Sequence, residues 1–75
     1  MFYTSNKDIS QNGKEFLPDT KVRFSIQNEI ETGTVIKQKV NSAIIEIEET
    51  VNNRDLIFQT QGMVVISYKD LTIIN

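Results

Sequence analysis

The sequence predicts an all-β fold, and three observations carry that prediction. Ile, Val and Thr together supply 24 of the 75 residues, whereas Leu and Ala, which a helical protein uses most, number three and one. Several short runs alternate apolar and polar side chains with a period of two, the spacing of a half-buried strand. Polar turn residues, such as Asn41-Ser42, separate those runs.

Residues 1–19 are mostly polar, with isolated apolar positions at Phe2, Tyr3, Ile9, Phe16 and Leu17 and the single proline, Pro18. They read as an N-terminal arm, flexible or loosely docked. Within it Asn12-Gly13, two residues that tolerate positive φ, signals a hairpin that Ile9 and Phe16 would flank. From Lys21 the pattern sharpens. Val22, Phe24 and Ile26 alternate with Lys21, Arg23 and Ser25, which predicts a first strand with its apolar set facing the core.

A turn at Gln27 to Glu29 leads into a second extended run, Ile30 to Val40, in which Gly33 predicts a bulge or sharp bend. Asn41-Ser42 turns the chain into a third strand, where Ala43, Ile45 and Ile47 alternate with Ile44, Glu46 and Glu48. The three strands make a meander. Glu49 to Gly62 is the least regular stretch and reads as a loop, although Leu56-Ile57-Phe58 in its middle is more apolar than a solvent loop requires. Met63 to Ser67 is continuous and apolar, the signature of a strand covered on both faces at the centre of a fold. Tyr68-Lys69-Asp70-Leu71 fits one 3₁₀ turn, and Thr72-Ile73-Ile74 a terminal fifth strand. Five short strands with one 3₁₀ turn before the last describe a small SH3-like barrel over residues 20–75.

The Val-x-Phe strand, Gly33-Thr34-Val35, Asn41-Ser42 leading into Ala43 to Ile47, and Val64 to Ile74 together resemble the uncharacterised YkvS-like small proteins of low-GC Gram-positive bacteria, their phages and plasmids. The resemblance covers roughly residues 20–75. It implies a small barrel of KOW or SH3 type, and it carries no catalytic motif and no established biochemical role.

Composition narrows the chemistry. The chain has no His and no Cys, which removes thiol nucleophiles, Ser-His-Asp triads, disulfides and metal sites built on imidazole or thiolate. Glu46 and Glu48 share one face of the third strand, but a solvated strand face lacks the concave, water-poor surroundings that separate the pKa values of an acid/base pair. The expectation is a binding protein with no enzymatic activity and no cofactor. No apolar stretch is longer than Met63 to Ile66, and the start of the chain lacks a basic region followed by an apolar one, so no membrane partner is expected. Cytoplasmic localisation follows by elimination.

Two kinds of partner remain, each with its candidate residues. The first is another protein or a second copy of the chain, met by an exposed sheet edge or by Arg54, Leu56, Ile57 and Phe58, with Tyr68 presented by the 3₁₀ turn. The bland counterpart folds Leu56 to Phe58 back over an open barrel end and uses Tyr68 to close the core. The second is nucleic acid, bound by Lys21, Arg23, Lys37 and Lys39 with Tyr68 as a stacking ring. A net charge of −2 and a pI near 4.9 weigh against it. Its bland counterpart pairs Lys37 and Lys39 with Glu46 and Glu48 across the Asn41-Ser42 turn, leaving neutralised surface charge.

Overall fold

The alternation of the first strand survives folding unchanged. In the computed structural model, which describes residues 11–74, Val22 and Phe24 of β1 (Lys21–Ile26) are buried, while Lys21, Arg23 and Ser25 are exposed. Gln27 and Asn28 both take positive φ, 53° and 67°, and close a two-residue hairpin with Ile26 opposite Glu29. That handedness matches the twist of the strands it joins. β2 (Glu29–Gln38) runs back along β1, and β3 (Ser42–Ile47) along β2, each antiparallel.

β4 (Met63–Ser67) pairs with β3, and β5 (Thr72–Ile73) returns to β1. The result is one five-stranded sheet in the order β4-β3-β2-β1-β5. The meander and the terminal return strand are as the sequence indicates. The expected barrel, at the level of strand pairing, is an open sheet with β4 and β5 at its two edges.

One face of the sheet makes the core. Val22, Val35 and Ile45 are fully shielded there, surrounded by Phe24, Ala43, Ile47, Leu71, Tyr68 and Phe16. Each buried aliphatic side chain of this size stabilises the fold by about 1.5–3 kcal/mol before entropy is counted. Gly33 lies where β2 packs closely on β3, since a Cβ there would overlap the Glu46 carbonyl and Ile45 Cγ2. The bulge expected at this glycine lies instead between Val35 and Lys37, with Ile36 the additional residue. Glycine and bulge are separate devices here, one for close approach and one for re-aiming the strand.

Three other expectations need correction. The Asn12-Gly13 pair forms no hairpin: Gln11–Gly13 is a 3₁₀ turn, and Ile9, the other flank, lies outside the described residues. Gly13 is fitted by contact, because a Cβ would overlap the Tyr68 ring, and its carbonyl accepts a 2.9 Å bond from Gln38 Nε2. Phe16 then stacks on Tyr68 with ring centroids 5.5 Å apart, so residues 11–19 are docked onto the sheet. Asp19 and Thr20 extend that docking through 2.8 and 2.9 Å backbone bonds with Val35.

The stretch read as a loop contains α1 (Arg54–Thr60). Its anchor is the buried Asn53, whose Oδ1 accepts from the Thr50 N–H at 2.7 Å while Nδ2 donates to Glu31 Oε1 and the Glu48 carbonyl. Asp55 in the first turn suits the positive end of the helix. Gln61 and Gly62, both at positive φ, end it, and both N–H groups return to the Ile57 carbonyl. Finally, β4 is an edge strand and not a central one. Val64 and Ile66 are half-buried against the core, but the opposite face and one long side of the strand are open. Among the described residues no helix is long and apolar enough to cross a membrane.

Candidate functional site

Two surfaces of the sheet carry the side chains the sequence singles out, and strand register decides what each can do. On the outer face of the β1 end, Lys21 lies opposite Thr34 of β2, which lies opposite Glu46 of β3. Arg23 lies opposite Thr32, whose hydroxyl donates to Glu48 Oε1 at 2.8 Å. Cations on β1 are thus separated by one threonine in each row from a carboxylate on β3 or just after it. Lys21 Nζ itself donates to Thr34 Oγ1 at 3.1 Å.

Because the β2–β3 turn falls at Val40-Asn41, one residue before the expected Asn41-Ser42, the pairing of Lys37 and Lys39 with Glu46 and Glu48 is not made. Lys37 faces Ile44, and Lys39 sits in the β2–β3 turn with its N–H on the Ser42 carbonyl. In this register neither Lys37 nor Lys39 lies opposite Lys21 or Arg23, whose partners are Thr34 and Thr32. Nor does Tyr68 provide a stacking ring, because it is only 3% exposed and closes the core. Its hydroxyl donates to the Lys39 carbonyl at 2.6 Å, and burial pushes the phenol above its usual pKa. Beside it lies a polar cleft of about 360 Å³ lined by Asn12, Asn41, Ser67, Tyr68 and Lys69.

At the other end, the four residues Arg54, Leu56, Ile57 and Phe58 occupy one helix and divide between core and solvent. Leu56 is buried and Ile57 half-buried, which is the fold-back arrangement. Phe58 projects outward and is 87% exposed, and Arg54 meets Glu49 at 3.6 Å on the surface, a contact of little energetic weight. Among the described residues, Phe58 is the aromatic ring left open to solvent, since Phe16, Phe24 and Tyr68 are buried.

β4 follows directly and completes this surface. The backbone bonds Tyr68 N–H to Asn41 C=O and Ile47 N–H to Gly62 C=O fix the parity of its pairing with β3. By the alternation of an antiparallel ladder, Val64 and Ile66 bond to β3, and the N–H and C=O groups of Met63, Val65 and Ser67 point to the open edge. On the outer face Met63 is 47% exposed and Val65 56%. Val65 continues the row of Lys37 and Ile44.

Sequence reasoning did not select Met63 and Val65. The signal was present, since the run Met63 to Ser67 has no charge and no proline, but the same composition describes a strand buried inside a fold and a strand waiting to be covered. Compared with family models, curated proteins and solved structures, the chain matches none.

Proposed function

We propose that this chain is a small, non-enzymatic SH3-like binding module that engages protein through the open edge of β4 and the neighbouring Phe58 surface of α1. The observation that carries the reading is the composition of that edge. Proteins blunt exposed edge strands with charge, proline, bulges or shortness. β4 has five residues, no charge, no proline and an unbroken register with β3. A strand of this kind gains by accepting another strand, whose backbone satisfies its free groups and whose side chains cover its apolar face.

The return of β5 to β1 after the 3₁₀ turn at Tyr68–Asp70 supports an SH3-like architecture, as does the resemblance to the YkvS-like proteins. On this reading the module works in the cytoplasm. The carboxylates of Glu46 and Glu48, one threonine away from Lys21 and Arg23, and the burial of Tyr68, the ring expected to stack beside those cations, weigh against the nucleic-acid reading.

The two readings separate in one set of measurements on the wild type, Val65→Glu, and Lys21→Glu combined with Arg23→Glu. Protein association by light scattering is expected to disappear with Val65→Glu and persist in the double charge reversal. Fluorescence anisotropy against RNA and single- and double-stranded DNA is expected to show no binding at low salt. Tight binding that weakens steeply with salt and is lost in the charge reversal would overturn the proposal in favour of nucleic acid.

A further inference from the structure

We propose that β4 pairs antiparallel with β4 of a second copy of this chain, about a twofold axis at Val65. The inference rests on the reading of β4 as the binding edge and names what covers it. Parity restricts the register first. Only Met63, Val65 and Ser67 offer free backbone groups at the edge, so an antiparallel partner strand must present the same alternate set.

Two copies of β4 meet this condition with their strands fully overlapped when Val65 faces Val65 of the second copy and Met63 faces its Ser67. Every edge N–H and C=O of the strand then has a partner. The outer-face row of Lys37, Ile44 and Val65 continues directly into Val65, Ile44 and Lys37 of the other copy, which places the apolar residues in the middle and the cations at the margins.

Charge favours this arrangement over a parallel one. The nearest charged residue to β4 on its own segment is Lys69. Antiparallel pairing centred on Val65 carries the two copies of Lys69 to opposite ends, about 27 Å apart at roughly 3.4 Å per residue. Parallel pairing in register would set them side by side, where like charges repel. The low net charge of −2 adds little repulsion between copies. Homodimers of this type are isologous, each copy using the same patch.

The chain contains no cysteine, so single-cysteine variants report the register without interference. A hydrogen-bonded antiparallel pair holds its Cα atoms about 5.5 Å apart, within disulfide range. Under mild oxidation Val65→Cys is expected to form a disulfide-linked dimer about tenfold or more faster than Val51→Cys, whose site is on an exposed turn and sets the collisional background. Met63→Cys is expected to link poorly with itself and well with Ser67→Cys. Preferential self-linking of Met63→Cys would overturn the register.

Amide hydrogen exchange of the wild type decides between failure of the self-pairing and failure of the edge reading. Protection at Met63, Val65 and Ser67 that grows with protein concentration supports the proposal. Fast exchange at all concentrations, with no excess linking at Val65, overturns self-pairing and leaves the edge open for another protein. Protection that persists on extreme dilution means that the chain covers its own edge, and both readings fall.

Discussion

The two edges of the sheet obey opposite rules. β5 has two residues, Thr72 and Ile73, paired to Arg23 and Val22, and it lies beside a sealed corner where Leu71, Tyr68 and Phe16 fill the core. β4 has five residues, its free backbone groups lie at the edge, and its outer face shows Met63 and Val65 with Phe58 on the preceding helix. A short edge limits strand addition, whereas a long uncharged one invites it. Burial thus accounts for stability at one end of the molecule, and exposure at the other marks the surface proposed for binding.

The sharpest test of that contrast removes an aromatic ring from each end. Tyr68→Ala is expected to cost about 3–5 kcal/mol, enough to unfold a chain whose total stability is of that order. Phe58→Asp removes a ring of similar size from α1 and is expected to shift stability by less than about 0.5 kcal/mol. Thermal or urea unfolding reads both. Unfolding by Phe58→Asp would mean that the helix surface belongs to the core.

Next in size is Gly13→Ala, which forces a methyl group into the Tyr68 ring and is expected to cost about 1–3 kcal/mol, measured by urea denaturation. Ordinary behaviour of that variant would show that the segment before β1 is not held against the sealed corner. Tyr68→Phe keeps the ring and removes the hydroxyl from the Lys39 carbonyl, with an expected loss of about 1 kcal/mol near neutral pH.

Tyr68→Phe also alters the response to alkali. Burial raises the folded phenol above its unfolded pKa near 10, so the unfolded chain releases that proton first. The Tyr68 contribution is complete below pH 10 and is lost as pH rises through the folded value, which gives stability a downward slope there. Denaturation across that range is expected to show a shallower slope in Tyr68→Phe. The smallest effect belongs to Val65→Glu, whose exposed side chain is expected to change folding stability by no more than about 0.5 kcal/mol while abolishing association.

Local chemistry made most of the sheet legible in the sequence. The alternation of Val22, Phe24 and Ile26 and of Ala43, Ile45 and Ile47 is a nearest-neighbour signal that folding preserves. The two turns, at Gln27-Asn28 and Val40-Asn41, fall within one residue of the expected Gln27 to Glu29 and Asn41-Ser42. The helix was not legible because seven residues hold too little periodicity, and because its anchor, Asn53, acts through contacts with Glu31 of β2 and with Glu48 just after β3. The Lys37 and Lys39 pairing failed for a related reason. The β2–β3 turn closes at Val40-Asn41 and not at Asn41-Ser42, which moves the partner of Lys37 from Glu46 to Ile44, and Val40 carries no local turn signal.

The candidate site was legible only in part. Arg54 to Phe58 falls in the helix before the exposed edge strand, but the division of Leu56 inward and Phe58 outward needs helical geometry. Tyr68 was ambiguous between core and surface until Phe16 and Gly13 were seen to enclose it. For β4, burial and self-association select the same residues, so composition alone cannot separate a central strand from an adhesive edge.

Sedimentation of the wild type beside Val65→Glu and Thr72→Glu tests the inequality of the two edges most directly, because it places the same carboxylate on each. At high protein concentration the wild type and Thr72→Glu are expected to sediment at about twice the chain mass of 8.6 kDa. Val65→Glu is expected to remain at the monomer mass while retaining the fold. If Val65→Glu sediments as a dimer beside Thr72→Glu, the copies do not pair through β4 and the inequality of the two edges is contradicted.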